Sequence, residues 1–244
     1  MLIEGYLAGP DVQIDPNNLS HARWNAASRS LLDPLLGFDS LDLTPQEADG
    51  ARPRLYRQWA TGEPLFPAEV SRAAIYIIRH PCDVAVSLAF HSGHGDMART
   101  VRLLCAKDHV MSGSENLQVP QRLMDWSSHA DSWTDGGSIP VLLIRYEDML
   151  ADPATALSDV LRFSGVAPEP EPERVAHAVA QTRFDRLRAR EEGEGFAEKP
   201  RTASRFFRSG TSGGWRAHLS HELAEKLMDF HRDRMARHGY DLDN

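Results

Sequence analysis

Lysine is nearly absent from this chain, and the three present, Lys107, Lys199 and Lys226, lie outside any Gly-Lys-Ser/Thr context. That excludes a Walker-type phosphate loop and counts heavily against a nucleotide kinase. Cysteine is as scarce. Cys82 and Cys105 stand 23 positions apart with no CxxC spacing, so neither a disulfide framework nor a cysteine zinc centre is expected, and both are read as reduced thiols. No apolar run approaches the roughly 20 residues of a membrane span, and no basic stretch leads into an apolar one at the start, so cytoplasm is the expected compartment. Positive charge is also short. A net charge of −8 excludes broad affinity for nucleic acid or anionic membrane, leaving any nucleotide to a local patch. With no linker-like segment or internal repeat, residues 1–244 are expected to form one domain around one core. His91 and His94 lack a carboxylate partner and read as loop residues rather than a metal pair.

What is present concentrates in three places. Ile75 to Ile78 is a short apolar, β-branched run of the kind found in parallel strands covered on both faces, and Arg79 closes it. Pro81 fits a first helical position, and Asp83 complements the dipole of that helix. Ser87 lies further along it, where its hydroxyl and nearby N–H groups could share a phosphate with the Arg79 guanidinium. The plain alternative is an arginine in a surface ion pair. A second apolar strand, Val141 to Ile144, runs into Tyr146, and Asp152-Pro153 caps a helix that Gly165 ends. Tyr146 alone could equally be a core tyrosine with its hydroxyl satisfied. Third, residues 207–216 hold Arg208, Gly210 and Gly213 in a segment able to bring backbone N–H groups to an anion, or to serve only as a flexible loop. Residues 183–216 carry eight Arg and one Lys against five acidic residues. Solvated helix and loop arginines explain the 183–190 part of that surplus better than they explain Arg205 and Arg208.

These segments carry a family resemblance. Tyr76-Ile-Ile-Arg-His-Pro-Cys-Asp-Val-Ala-Val-Ser87 resembles the 3'-phosphate-binding motif of sulfotransferases that use 3'-phosphoadenosine 5'-phosphosulfate (PAPS), with the serine eight positions after the arginine and His80 where asparagine is usual. Pro140 to Ala154 is similar to that family's strand, Tyr-Glu-Asp triplet and helix, which implies that Tyr146 contacts adenine. Phe207-Arg-Ser-Gly-Thr-Ser-Gly-Gly-Trp-Arg216 resembles the C-terminal Arg-Lys-Gly and Gly-Asp-Trp-Lys motif more loosely, with Ser209, Gly214 and Arg216 as departures. Trp126 to Trp133 adds a shorter echo.

The resemblance implies an α/β fold, a three-layer P-loop-like parallel sheet flanked by helices. It further implies PAPS as donor without a metal, an adenine nucleotide and a small-molecule acceptor as partners, and a nucleotide site of Arg79, Ser87, Tyr146, Arg208 and Gly210. The expected activity is sulfuryl transfer to a hydroxyl or amine. Two family parts have no counterpart here: the Lys-Ser-Gly-type loop that holds the 5'-phosphosulfate, and a catalytic histidine strand, whose interval reads Gln58 to Pro67 without histidine. Catalytic residues are therefore unassigned. The chain reads as a shortened sulfotransferase with missing strands, or as a non-catalytic relative that binds adenosine 3',5'-bisphosphate or a protein partner. Met1 to Leu7 resembles the helix that follows the missing loop.

The remaining pattern is helical. Thr44 to Glu47 is a capping box. Leu123, Trp126, Ala130 and Trp133 share a face of a helix that stops at Gly136-Gly137, and Leu223, Leu227 and Phe230 share a face of the last one. His129 reads as a packing residue. The charged, glycine-rich run from Glu191 to Ser204 is expected to be a mobile loop.

Overall fold

A computed structural model of the chain describes residues 2–15, 17, 73–111, 121–135, 139–196, 199 and 203–240. The capping box at Thr44, the interval Gln58 to Pro67, Gly136-Gly137 and part of the 191–204 segment lie outside them. In chain order the elements are α1 (Leu2–Ala8), β1 (Ala74–Ile78), α2 (Pro81–His91), α3 (Met97–Leu104), β2 (Val110–Met111), β3 (Gln121–Arg122), α4 (Trp126–Thr134), β4 (Val141–Arg145), α5 (Tyr146–Ala151), α6 (Pro153–Ser164), α7 (Pro172–Gln181), α8 (Phe184–Glu194), a 3₁₀ turn (Gly214–Ala217) and α9 (His221–Arg237).

The fold is α/β with a parallel sheet at its centre. β1 and β4 pair in parallel from Ala74↔Val141 to Ile78↔Arg145. β2 and β3 form a separate antiparallel pair too short to leave a sequence signal. Period-2 alternation puts Tyr76, Ile78 and Leu143 on one face, packed with Trp126, Ala130, Met235 and Tyr240. The opposite face departs from expectation. Ile75 is 39% and Ile77 50% exposed, so β1 is not covered on both faces among the described residues.

Two further cores flank the sheet: Cys82, Val86, Val101 and Leu227 join α2, α3 and α9, while Tyr6, Leu157, Leu161, Val175 and Ala178 join α1, α6 and α7. Burying each large side chain contributes roughly 1.5–3 kcal/mol. The α6 boundaries match the sequence reading, with Asp152 accepting from Thr155 N and Gly165 left-handed at φ 71°.

Three local expectations are corrected. Asp125 caps the start of α4, accepting from Ser128 N at 2.9 Å, so Leu123, expected on the apolar face of this helix, precedes it. Phe230 is 47% exposed. The buried stripe of α9 is Ala224, Leu227, His231 and Met235, because His231 finds polar partners inside, Ser127 Oγ at 2.7 Å and the Leu104 carbonyl at 3.1 Å. Residues 191–194 are helical rather than loop, and α8 carries i,i+4 pairs Arg188–Glu192 and Arg190–Glu194 along its exposed side.

Candidate functional site

Parallel pairing fixes the first feature of the site. Because Ile78 stands opposite Arg145, the residues that follow, Arg79 and Tyr146, leave the same edge of the sheet side by side. The Arg79 guanidinium lies 4.2 Å above the Tyr146 ring centroid. Its Nη2 donates to the Thr211 carbonyl at 2.9 Å and stands 3.9 Å from Asp83 Oδ2, while Trp126 Nε1 donates to the Arg79 carbonyl at 3.0 Å. Arg79 Nε is buried with no partner among the described residues. An orphaned buried donor of this kind costs on the order of 1–3 kcal/mol until something accepts from it.

The helix that follows is set by three residues. Pro81 takes the first turn, Asp83 sits inside it, and His80 is the N-cap, its Nδ1 accepting from Cys82 N at 3.2 Å. That bond places the proton of the neutral imidazole on Nε2. Burial lowers the His80 pKa below its ordinary value, so the neutral form prevails at neutral pH. The ring stacks on Trp215 at 5.7 Å and 6° and meets the edge of Tyr240. Glu147 ties these groups together: Oε1 accepts from His80 N at 3.0 Å and Oε2 from the Tyr240 hydroxyl at 2.9 Å.

Asp83 does more than complement a helix dipole. Only 3% exposed, it accepts from Gly213 N at 2.7 Å through Oδ2 and from Trp215 N at 3.0 Å through Oδ1. With the Arg79–Thr211 bond, it latches the glycine-rich segment to the start of α2. Gly213 adopts φ 75° to present its N–H. Gly210 is required for a different reason: at φ 61°, an added Cβ would stand 2.3 Å from Cδ2 of the Phe184 ring. Upstream, Glu191 receives Phe206 N at 2.6 Å and Phe207 N at 2.8 Å, clamping the same segment to α8.

The latch and the clamp bring Arg208 into the neighbourhood of Arg79. Its guanidinium lies 4.4 Å over the Phe90 ring, with His218 Nε2 at 3.3 Å. Burial first, and the charge of Arg79 second, hold its pKa below the ordinary arginine value. A positive charge that disfavours Arg208 and a helix N-terminus beside Arg79 are features that an anion would offset.

Of the residues expected from sequence, Arg79 and Tyr146 are in contact, and Arg208 is close enough for the Arg79 charge to act on it. Ser87 is exposed on α2, its hydroxyl making no hydrogen bond among the described residues. Gly210 is held under Phe184. Arg205 takes the plain reading, paired with Glu192 at 3.3 Å, as Arg183 is with Asp185. His129 packs, its Nδ1 2.8 Å from the Tyr76 hydroxyl. No cluster of potential metal ligands occurs among the described residues. Sequence reasoning missed the roles of His80, Asp83 and Glu147 because each binds a partner remote in sequence. The available signal was a carboxylate, Asp83, four residues after Arg79.

Comparison with known proteins adds an independent line. Residues 65–239 match the sulfotransferase domain family. Human sulfotransferase 1E1 is 26% identical over 171 residues, taking in 66% of this chain and 54% of that protein. Among solved structures, mouse sulfotransferase SULT7A1 complexed with PAP superposes with a TM-score of 0.53 at 20% identity, covering 71% of this chain and 61% of that one. Retinol dehydratase in complex with androsterone and inactive cofactor PAP gives 0.52 at 18% identity, over 72% and 51%. The chain thus spans about half the length of the curated relative it matches. At these identities the superpositions speak to the fold.

Proposed function

This chain belongs to the sulfotransferase domain family, and on that premise we propose that it binds a 3'-phosphorylated adenine nucleotide at Arg79 and Arg208 and transfers a sulfuryl group from PAPS to a hydroxyl or amine of a small-molecule acceptor. The observation that carries this reading is the buried Arg79 Nε–H, which has no partner among the described residues; Arg208, close enough for the Arg79 charge to act on it, has no ion pair among the described residues. A 3'-phosphate offers the acceptors both lack. Ser87, on the helix that follows Arg79, adds a hydroxyl without a hydrogen bond among the described residues, and Gly210 lets the chain pass close enough to bring Arg208 in. Tyr146 has one ring face covered by Arg79, so adenine would meet its remaining face and edge.

These residues bind and orient. PAPS, when bound, supplies the activated sulfuryl group and a leaving group that departs as adenosine 3',5'-bisphosphate. Neutralising the charge of a 3'-phosphate holds the donor in register, and positioning of this kind is a large share of catalysis in the related phosphoryl transfers. Calorimetric titration with adenosine 3',5'-bisphosphate tests the site: binding lost on Arg79→Ala supports it, and no binding by the unaltered chain sinks it. Transfer of labelled sulfate from PAPS to a broad acceptor panel tests the activity.

A second reading is favoured by one observation, the position of the three lysines. Lys107 follows α3, Lys226 lies on α9, and Lys199 donates to the Ala203 carbonyl at 3.0 Å. None stands in a phosphate loop. On this reading the protein binds the bisphosphate without turnover, and the two are separated by whether label leaves PAPS in the presence of any acceptor.

A further inference from the structure

A cavity of about 210 Å³ opens where the start of α2, the β4–α5 junction, the glycine-rich segment and Gly239-Tyr240 meet. Arg79, Ser87, Tyr146 and Arg208 are not among its walls, although Asp83, 3.9 Å from Arg79, is. It has room for more than one water molecule, whose share of the liquid is about 30 Å³.

The polar groups in the wall divide unevenly. Both carboxylates have their oxygens engaged: Asp83 by Gly213 N and Trp215 N, Glu147 by His80 N and the Tyr240 hydroxyl. What is left over is donor. His80 is 7% exposed and its Nε2, which carries the proton because Nδ1 accepts from Cys82 N, has no partner among the described residues. Arg145 Nε is likewise buried and unpartnered. The nearest carboxylate, the exposed Asp148, stands at 4.0 Å, beyond hydrogen-bond reach. The rest of that guanidinium lies 4.5 Å over Tyr240. The Arg216 guanidinium makes neither ion pair nor hydrogen bond among the described residues and rests 4.4 Å over the Trp215 ring. Two guanidiniums and an imidazole N–H therefore border one cavity whose two carboxylates already accept, with the Ser212 hydroxyl a further side-chain acceptor in the wall. Water would bring as many donors as acceptors, whereas an oxyanion brings acceptors alone.

We propose that this cavity is a small-oxyanion site, taking a phosphate or sulfate group between Arg145, Arg216 and the His80 Nε2–H. The site shares the Asp83 latch with the nucleotide site but none of its cations.

The test uses the full chain carrying Arg79→Ala and Arg208→Ala, which removes the cations of the nucleotide site. Inorganic phosphate and sulfate are titrated against chloride at constant ionic strength while thermal unfolding is followed. The expected result is a saturable rise in Tm of about 2–4 °C, reduced by at least half when Arg216→Ala or Arg145→Gln is added. Arg216 is exposed, so its variant keeps the test valid if Arg145→Gln fails to fold. The ¹H–¹⁵N signals of the His80 imidazole give a second reading, expected to shift with the same midpoint. A rise equalled by chloride overturns the proposal, as does a rise untouched by Arg216→Ala with no shift at His80. Glycerol phosphate separates two sources: a tighter midpoint than inorganic phosphate assigns the group to a larger phosphorylated ligand, an equal one to the free anion. Binding of adenosine 3',5'-bisphosphate is measured on the unaltered chain, so either site can fail without the other.

Discussion

Asp83 Oδ2 and the amide nitrogen of Gly213 stand 2.7 Å apart although 130 residues separate them in sequence. The start of α2 and the glycine-rich segment are thereby one piece of structure, and the carboxylate of one is held by backbone amides of the other.

Replacing Asp83 by alanine should therefore weaken binding of adenosine 3',5'-bisphosphate through the loop rather than through charge. Each lost charge-assisted bond removes about 1.5–3 kcal/mol. A double-mutant cycle with Arg208→Ala reads the coupling: once Asp83 is gone, removing Arg208 should have little further effect on affinity, and fully additive losses would show that the latch does not place Arg208.

Arg79→Ala and Arg208→Ala should each reduce affinity for the bisphosphate by tenfold or more, about 1.4 kcal/mol or above. Ser87→Ala, which removes one neutral hydroxyl, should reduce it less. Isothermal calorimetry orders the three, and a Ser87 effect exceeding that of Arg79 would reverse the assignment.

Gly210→Ala should destabilise the protein, because its new methyl group meets the Phe184 ring and its φ of 61° suits glycine. Urea unfolding should show a loss of about 1–3 kcal/mol. Adding Phe184→Ala should recover the steric part but not the backbone part; full recovery would mean that the left-handed conformation carries no strain.

His80 makes stability depend on pH. Burial depresses its folded pKa below the ordinary 6.5, with Arg216 and Arg145 acting the same way and Asp83 and Glu147 opposing. The unfolded chain then binds the proton more readily, so the contribution is complete above about pH 6.5 and is lost as pH falls below it. His129, His231 and His238 are lowered too, so the measurement is the difference between the unaltered chain and His80→Asn across pH 5–8. That difference should have a slope no greater than about 1.4 kcal/mol per pH unit, and a flat difference would count against a buried neutral imidazole.

Much of this architecture was legible before any coordinates. The Ile75–Ile78 strand, the Pro81 start of α2, and the Asp152 and Gly165 ends of α6 follow from β-branching, proline's fixed φ and capping chemistry, all of which act over a few residues. The exposed face of Ile75 and Ile77 was not legible, because apolar runs report what a strand can bury and not which neighbours arrive to cover it. Phe230 and His231 show the same limit on α9. Periodicity favoured the aromatic residue for the core, while Ser127 and the Leu104 carbonyl, far away in sequence, made the histidine the better-satisfied occupant. At the candidate site the arginines were legible from motif and charge, and the Asp83, His80 and Glu147 connections were not, since each joins segments that local pattern cannot relate.

The latch also bears on timing during synthesis. Arg79 and Asp83 leave the ribosome well over a hundred residues ahead of Thr211, Gly213 and Trp215, and until those residues emerge the Asp83 carboxylate has none of the amide donors that hold it in the finished protein. A site closed by contacts of such long range is completed late in folding. A nucleotide taken up at the proposed site would therefore bind late, acting as a counterion that stabilises the finished protein and not as a template for assembling it.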